Sequence, residues 1–331
     1  MNLCSPIAQY IHWRPHLDTL FRALQTSEIP FLILKGWAFI PDLYPDPTVG
    51  RPMGDIDLLV QPHKFPDAVQ LLTDLGYTQG ANKPRTKYDP NSSPLPYELD
   101  FYNATGVSID LHRHIFPTYW STSAFSIDMD AVWKSRQPFT DWSGNTLERL
   151  SPELNFLHLI MHITIHGMPD AQQKSYADLM RLVKKYETAL DWERIHQLAC
   201  QWELRTALIF VSSFCQRKFQ FSLPGIRTDD RQPGKMRVWL VEKVLTPRWE
   251  RNPGQDHWLL RAMLNLAVVE KPEKVILLTW SVFFPTADQR YHLHGFPVSL
   301  AGHYLRLLKK GLGNKPANLI DGKTVGQIRN L

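Results

Sequence analysis

Cysteine is scarce in this chain of 331 residues, which contains three cysteines and no Cys-x-x-Cys pair. Cys4, Cys200 and Cys215 lie far apart and are odd in number. Neither a zinc site nor a disulfide framework is therefore indicated, and a reducing compartment is expected. The first residues also lack the basic and then apolar run of a signal peptide. Together these features predict a cytoplasmic protein.

Long apolar runs are missing as well. The longest one near the end of the chain covers residues 275–284 and includes Thr279 and Ser281. A helix that spans a bilayer needs about 20 predominantly apolar residues. We therefore expect no transmembrane segment.

The chain has no large excess of either charge. Lys and Arg number 37 and Asp and Glu number 32, which gives a net charge of +5. This mild basicity suits an anionic small substrate, and no stable binding of nucleic acid is expected. The sequence also contains no P-loop and no Gly-x-Gly-x-x-Gly motif. The main sequence signatures of P-loop kinases and of Rossmann enzymes are therefore absent.

The two halves of the chain differ in their patterns. Apolar or alternating runs predict strands at residues 31–34, 55–60, 97–102 and 107–115, the last two forming a hairpin. From about residue 150 the pattern becomes helical, and Ser151-Pro152-Glu153 is a strong helix start. We therefore predict an α+β fold, with a small sheet domain and flanking helices over residues 1–148 and an all-helical domain over residues 149–331.

The segment from Arg51 to Val60 carries the clearest chemical signal. Asp55 and Asp57 lie two residues apart, and residues with this spacing point to the same face of a strand. Two neighbouring carboxylates repel each other unless a cation joins them. Mg²⁺ or Mn²⁺ is the usual cation, because hard cations prefer oxygen ligands. The pair predicts a divalent metal site; the alternative is a solvent-facing pair on an edge strand.

Asp110 in the second hairpin arm extends this hypothesis. If that arm lies beside residues 55–60, three carboxylates can hold two metal ions about 4 Å apart, the clamp used for phosphoryl or nucleotidyl transfer. The third carboxylate can also orient or deprotonate the acceptor. His112 and His114 share the face of Asp110, where they either bind substrate or carboxylates or belong to a polar sheet face.

The order of these segments resembles the nucleotidyltransferase superfamily typified by DNA polymerase β. The resemblance is closest to an uncharacterised nucleotidyltransferase-like branch. It rests on Leu34-Lys35-Gly36, Tyr44-Pro45-Asp46-Pro47, Arg51–Val60 and Asp110-Leu111-His112. It covers roughly residues 28–220 and implies a polymerase-β-like sheet domain followed by a helical acceptor or lid domain.

The resemblance also implies an activity and a site. The expected reaction is the metal-dependent transfer of NMP from an NTP, with ATP as the first candidate, to an unidentified small-molecule, peptide or protein acceptor. The residues expected to catalyse the transfer and to hold Mg²⁺ or Mn²⁺ are Asp55, Asp57 and Asp110. The residues expected to contact the phosphates are Lys35, Gly36 and Arg51.

Trp37 departs from the pattern of the superfamily, whose phosphate-binding turn carries a small residue after the glycine. A tryptophan offers no small hydroxyl group to a triphosphate. This departure keeps a second hypothesis open, in which the fold has lost its phosphate grip and serves as a binding or accessory protein.

Three histidines recur every four residues in the helical half, at His158, His162 and His166. This spacing places them on one helical face. They either form hydrogen bonds in the core or between domains, or they face the substrate.

Overall fold

The computed structural model describes residues 6–40, 42–45, 50–80, 95–168, 173–226, 234–250, 258–287, 289–290 and 298–312. Cys4, Asp46 and Pro47 lie outside these residues. The chain divides into two compact units. The sheet unit comprises Met1–Thr122, Asp128–Asn155 and Tyr291–Phe296, and the helical unit comprises Ser123–Ile127, Phe156–Arg290 and Pro297–Leu331.

The sheet unit contains a mixed sheet, with seven strands among the described residues. In chain order they are β1 (Phe31–Leu34), β2 (Ile56–Val60), β3 (Thr78–Gln79), β4 (Glu98–Tyr102), β5 (Ser108–His112), β6 (Gln137–Thr140) and β7 (Thr146–Arg149). Their order across the sheet is β3-β4-β5-β2-β1-β7-β6. The pairs β2–β5 and β1–β7 are parallel, and the other neighbours are antiparallel.

Helices precede, interrupt and follow the strands. The α-helices up to residue 165 are α1 (Pro6–Thr26), α2 (Lys35–Ala38), α3 (Phe65–Asp74), α4 (Tyr119–Ala124), α5 (Met129–Lys134) and α6 (Pro152–Ile165). Those that follow are α7 (Gln173–Lys185), α8 (Trp192–Gln201), α9 (Arg205–Phe219), α10 (Lys235–Trp239), α11 (Thr246–Glu250), α12 (Trp258–Val268), α13 (Pro272–Phe283) and α14 (Leu300–Leu312). A π-helical stretch, Leu240–Leu245, joins α10 to α11.

The predicted α+β class with a helical C-terminal half is confirmed. Four of the predicted strand boundaries differ slightly. β2 begins at Ile56 rather than at residue 55, and β4 begins at Glu98 rather than at residue 97; β5 covers Ser108–His112 rather than residues 107–115. β3, β6 and β7 were not predicted. None of the helices in the described part of the chain has the length and apolar content that a membrane crossing requires.

The two central strands β1 and β2 are buried on both faces. Every residue of β1 and of β2 is buried, including Asp57. Strands that are covered on both faces read as continuous rather than alternating apolar runs, which explains Phe31–Leu34. α1 adds a buried stripe at helical spacing, formed by Tyr10, Trp13, Leu17, Leu20, Phe21 and Leu24. A charged side chain on β2 is therefore held inside a rigid, packed layer.

Trp37 is an anchor of this core. Its side chain is 1% exposed and stacks on Tyr10, with ring centroids 5.1 Å apart and an interplanar angle of 18°. Its Nε1 donates a hydrogen bond of 3.4 Å to Oδ2 of Asp141. Tyr10 in turn packs edge-on against Trp142. The tryptophan that departs from the superfamily pattern thus joins α1 to the turn between β6 and β7.

We expect Trp37→Ala to lower the free energy of unfolding by about 3–5 kcal/mol, because it removes a large buried side chain. Trp37→Phe retains an aromatic ring for Tyr10 and should lower the free energy by only about 1–2 kcal/mol. Denaturant unfolding followed by fluorescence or circular dichroism measures both. Equal midpoints for Trp37→Ala and wild type would show that Trp37 does not anchor the core.

Candidate active site

Three adjacent strands carry acidic residues on one face of the sheet. The parallel register of β2 and β5 places Asp57 opposite Asp110. The antiparallel register of β5 and β4 places Asp100 opposite Asp110. Residues directly opposite each other on paired strands project to the same face. Asp57, Asp110 and Asp100 therefore form one row, and His112 lies opposite Glu98 in the next row.

Among the described residues, two groups bring potential metal ligands together. Asp57, Asp110 and His112 form one group, and Glu98, Asp100 and Asp110 form the other, each with its ligand atoms within 4.8 Å of one another. Asp110 belongs to both groups. Asp55, which precedes β2 and is partly exposed, belongs to neither, although its charge acts on Lys35 and on Asp110.

Asp57 is buried between two positively polarised partners. Nζ of Lys35 lies 2.5 Å from Oδ1 of Asp57, and Nε2 of His112 lies 3.0 Å from the same oxygen. Burial would raise the pKa of Asp57, but the charge of Lys35 and the hydrogen bond from His112 hold this pKa well below its ordinary value. Asp57 is therefore a carboxylate that stays ionised inside the sheet.

Lys35 reaches Asp57 from a strained backbone position. It follows β1 directly and has a φ of +47°, in the left-handed region that residues other than glycine rarely adopt. Burial would lower the pKa of Lys35, but the charge of Asp57 raises it above its ordinary value. Such strain persists only where the surrounding structure enforces it, and it concentrates at ligand-binding sites.

Asp110 has the opposite electrostatic character to Asp57. Burial and then the negative charge of Glu98, followed by that of Asp55, raise the pKa of Asp110 from 3.8 to about 8. At Asp110 the effects of burial and of these negative charges thus outweigh the opposing effect of His112. Carboxylate oxygens with surplus negative charge are suitable ligands for a hard divalent cation. The donor set of this face therefore fits the metal that the resemblance implies.

Gly36 and Arg51 lie against each other beside Lys35. A Cβ atom at Gly36 would approach Nη1 of Arg51 to 2.5 Å, so a side chain here would displace the guanidinium group. Arg51 is only 6% exposed. The structure thus brings Lys35, Gly36 and Arg51 together at the end of β1, next to Asp57 at the start of β2.

The other predicted histidines differ from His112. Burial and the charge of Arg113 lower the pKa of His114 to about 4, and its Nδ1 accepts a hydrogen bond from the backbone N–H of Phe116. His158 is buried in α6, and the rings of His162 and His166 lie edge to face 4.5 Å apart. Of the two histidines predicted to share the face of Asp110, His112 contacts the predicted site, and His114 supports the chain after β5.

Sequence reasoning missed Glu98 and Asp100. Both alternate with buried apolar residues, Leu99 and Phe101, in the predicted first arm of the hairpin. Asp100 lies opposite Asp110 because Val107 also belongs to the connection between the two strands, where its carbonyl accepts a hydrogen bond from the N–H of Asn103. Counting outward from the predicted turn over residues 103–106 would instead pair Asp100 with residue 109. The sequence therefore showed two acidic alternations in the hairpin, at Glu98 and Asp100 and at Asp110 and His112, but not their register.

A mixed sheet that presents buried carboxylates beside a Lys-Gly turn, followed by a helical C-terminal half, is the architecture that the resemblance to nucleotidyltransferases implied. The chain belongs to the family described as uncharacterised nucleotidyltransferase, whose model matches residues 8–220. None of the curated proteins matches this chain in sequence.

Three solved structures resemble the chain at low identity. The crystal structure of ANT(2'')-Ia in complex with adenylyl-2''-tobramycin is 16% identical, with a TM-score of 0.39, and the match covers 56% of this chain and 94% of that one. The solution structure of the antibiotic-resistance factor ANT(2'')-Ia is 17% identical, with a TM-score of 0.39 and coverages of 62% and 94%. The lincomycin-bound lincosamide antibiotic adenylyltransferase LnuA is 12% identical, with a TM-score of 0.33 and coverages of 50% and 93%.

The raised pKa of Asp110 predicts a pH-dependent stability in metal-free protein. Below pH 3.8 the carboxyl is protonated in both states, whereas between pH 3.8 and about 8 the unfolded chain releases a proton that the folded protein retains. Rising pH therefore favours unfolding across this window. We expect Asp110→Asn to unfold at a higher temperature than wild type at pH 8, with a difference that shrinks towards pH 4.

Differential scanning calorimetry in the presence of a chelator measures this difference. Asp74→Asn, which removes an exposed carboxylate of α3, serves as the control and should follow the wild type across the pH range. A constant difference between Asp110→Asn and wild type would contradict the raised pKa.

Proposed function

We propose that this protein is a divalent-metal-dependent nucleotidyltransferase that moves NMP from an NTP onto an acceptor hydroxyl, phosphate or amine. Membership of the nucleotidyltransferase family supports the reaction class. The observation that carries the assignment of the site is the pairing of Asp57 with Asp110 across β2 and β5, with Lys35 bound to Asp57.

The metal would be held by Asp55, Asp57 and Asp110. When bound, Mg²⁺ or Mn²⁺ supplies positive charge that steadies the triphosphate and the leaving pyrophosphate. Asp57 is suited to this task because it stays ionised at every physiological pH. Asp55 lies just before β2 and is partly exposed. It adds negative charge near Asp110 without the cost of full burial.

Asp110 is the candidate for proton transfer. The register of β2 and β5 places its carboxylate directly opposite Asp57, beside the proposed metal, where it could accept a proton from an acceptor group. The proton of the acceptor group would pass to the carboxylate of Asp110 as the acceptor atom attacks the α-phosphorus. The bond between the α-phosphorus and its bridging oxygen would break, and pyrophosphate would leave with that electron pair.

Lys35, Gly36 and Arg51 would bind the triphosphate. An ammonium group has three donors, so Lys35 can keep its contact with Asp57 and still donate to a phosphate oxygen. Arg51 offers a forked guanidinium group that matches phosphate geometry. Gly36 lets this group lie close to the backbone, because it carries no side chain in the space that Arg51 occupies.

The first experiment is a transfer assay. The protein is incubated with each of the four NTPs, labelled at the α-phosphate, together with Mg²⁺ or Mn²⁺ and candidate acceptor mixtures, and ATP and a small hydroxylated acceptor are tried first. We assign the choice of acceptor to the helical residues 149–331. Transfer of label and release of pyrophosphate are the readouts.

We expect Asp57→Asn and Asp110→Asn to reduce the rate of transfer by about 10²–10⁴-fold, the range typical of lost acid–base or charge stabilisation. Asp74→Asn is the matched control and should retain the wild-type rate. Equal rates for Asp57→Asn and wild type would exclude this site, and an absence of transfer from all four nucleotides would count against the reaction.

Gly36→Ala tests the phosphate grip separately. The added methyl group would displace the guanidinium of Arg51, so we expect the KM for the NTP to rise by about tenfold or more, the equivalent of one lost charged hydrogen bond. Gly54→Ala is the control, because no atom lies within 4 Å of a Cβ built there. Equal KM values for the two variants would remove Arg51 from the proposed site.

Calorimetry with Mg–NTP distinguishes the enzyme from a binding or accessory protein that has lost the phosphate grip. Trp37 motivates that alternative, but its side chain is buried and packs against Tyr10. An enzyme with an intact grip should release or absorb heat on binding and should unfold at a higher temperature with ligand. A protein that no longer binds the triphosphate should show neither a heat of binding nor a higher unfolding temperature.

A further inference from the structure

We propose that the β4–β5 hairpin carries a second metal site, formed by Glu98, Asp100, Asp110 and Nδ1 of His112, which takes a first-row transition-metal dication such as Mn²⁺. This site lies on the same face of the sheet as the proposed Asp55–Asp57–Asp110 metal site and shares Asp110 with it. Its other ligands lie on β4 and β5. It depends on the geometry of the hairpin and not on the proposed transfer reaction.

The three carboxylates already converge. Their ligand oxygens lie within 4.8 Å of one another. Oxygens bound at about 2.2 Å to a common ion can be no more than about 4.4 Å apart, so side-chain adjustments of a few tenths of an ångström would complete a coordination shell. Glu98, Asp100 and Asp110 stand on two directly paired strands, which keep them in register without a ligand.

His112 supplies an independent observation. It is 2% exposed, and its Nδ1 has no hydrogen-bond partner within the described part of the chain. This atom lies 3.8 Å from Oε2 of Glu98, which is too long for a hydrogen bond. Nδ1 of His112 is therefore a buried polar atom that lies near the carboxylate of Glu98 without forming a hydrogen bond to it. Buried polar atoms without a hydrogen-bond partner are rare in native proteins, and a missing bound ion is one explanation.

The other ring nitrogen of His112 makes Nδ1 suitable as a ligand. Nε2 lies 3.0 Å from Oδ1 of Asp57, and Asp57 is held in place by Lys35. A neutral imidazole that donates its Nε2–H to a carboxylate carries its lone pair on Nδ1, directed away from that carboxylate, and a metal that binds there takes the place of the Nδ1 proton of the charged form. Histidine ligands of metals are commonly oriented by a carboxylate on the opposite ring nitrogen. Asp57 would thus act as the positioning residue of His112.

The donor types select the class of metal. Three carboxylates at close range repel one another and favour a cation between them. Imidazole nitrogen is a preferred ligand of transition metals, whereas Mg²⁺ favours oxygen alone. A mixed set of one nitrogen and three carboxylates therefore favours a transition-metal dication over Mg²⁺, in contrast to the all-oxygen pair of Asp55 and Asp57.

Mn²⁺ binding to chelator-treated full-length protein, in the absence of nucleotide, tests the site. Electron paramagnetic resonance counts the bound ions, and pulsed spin-echo measurements detect a nitrogen ligand directly. We expect a nitrogen coupling in wild type and in Asp55→Asn, and its loss in His112→Gln. Asp100→Asn and Glu98→Gln should each weaken binding by at least about tenfold, a loss that even outer-shell changes cause at metal sites.

Folding is checked on the metal-free variants. Asp100→Asn relieves repulsion between carboxylates and should unfold at the wild-type temperature or above it, so weaker binding would not reflect a misfolded chain. Bound Mn²⁺ without nitrogen coupling in wild type would overturn the proposal, as would wild-type affinity in both Asp100→Asn and Glu98→Gln. If either of these results were obtained while the protein still catalysed nucleotidyl transfer with Mg²⁺, the proposal of a second metal site would be wrong and the proposed function would stand.

Discussion

The ion pair between Lys35 and Asp57 is the interaction on which the acidic face depends. A carboxylate in the middle of an apolar strand would be costly to bury without a partner. Nζ of Lys35 lies 2.5 Å from that carboxylate, and the backbone of Lys35 adopts a positive φ at the end of β1. His112 then uses the same oxygen of Asp57, so the pair also sets the orientation of a side chain on β5. Oδ1 of Asp57 thus accepts both the charged contact from Lys35 and the hydrogen bond from His112.

Three consecutive residues after β1 serve three different purposes. The side chain of Lys35 contacts Asp57, the bare Cα of Gly36 leaves room for Arg51, and the ring of Trp37 packs on Tyr10. A helix of four residues can do this because successive side chains point about 100° apart around its axis. The residue that departs from the superfamily pattern therefore belongs to the core, whereas the residues that precede it face the site.

The elements that the sequence predicted are those formed by residues close together in the chain. Apolar runs predicted β1 and β2, and the turn at Asn103–Gly106 predicted the β4–β5 hairpin, because periodicity and turn chemistry act over a few residues. β6 and β7 were missed, and β7 pairs with β1 in parallel across more than 100 residues of sequence. Glu98 and Asp100 were missed for a different reason, since their position opposite His112 and Asp110 depends on a connection that is one residue longer than the predicted turn.

Sequence by itself determined which residues share a strand face, because the alternation of side chains is a property of the extended backbone. Glu98 and Asp100 on β4 and Asp110 and His112 on β5 are such pairs, whereas Asp55 precedes β2 and Asp57 lies within it. Only the tertiary structure decided how these pairs combine. The strand order β4-β5-β2 placed Asp110 between Asp57 and Asp100, and Lys35 and His112 took the same oxygen of Asp57, because cross-strand register and side-chain packing depend on contacts distant in sequence.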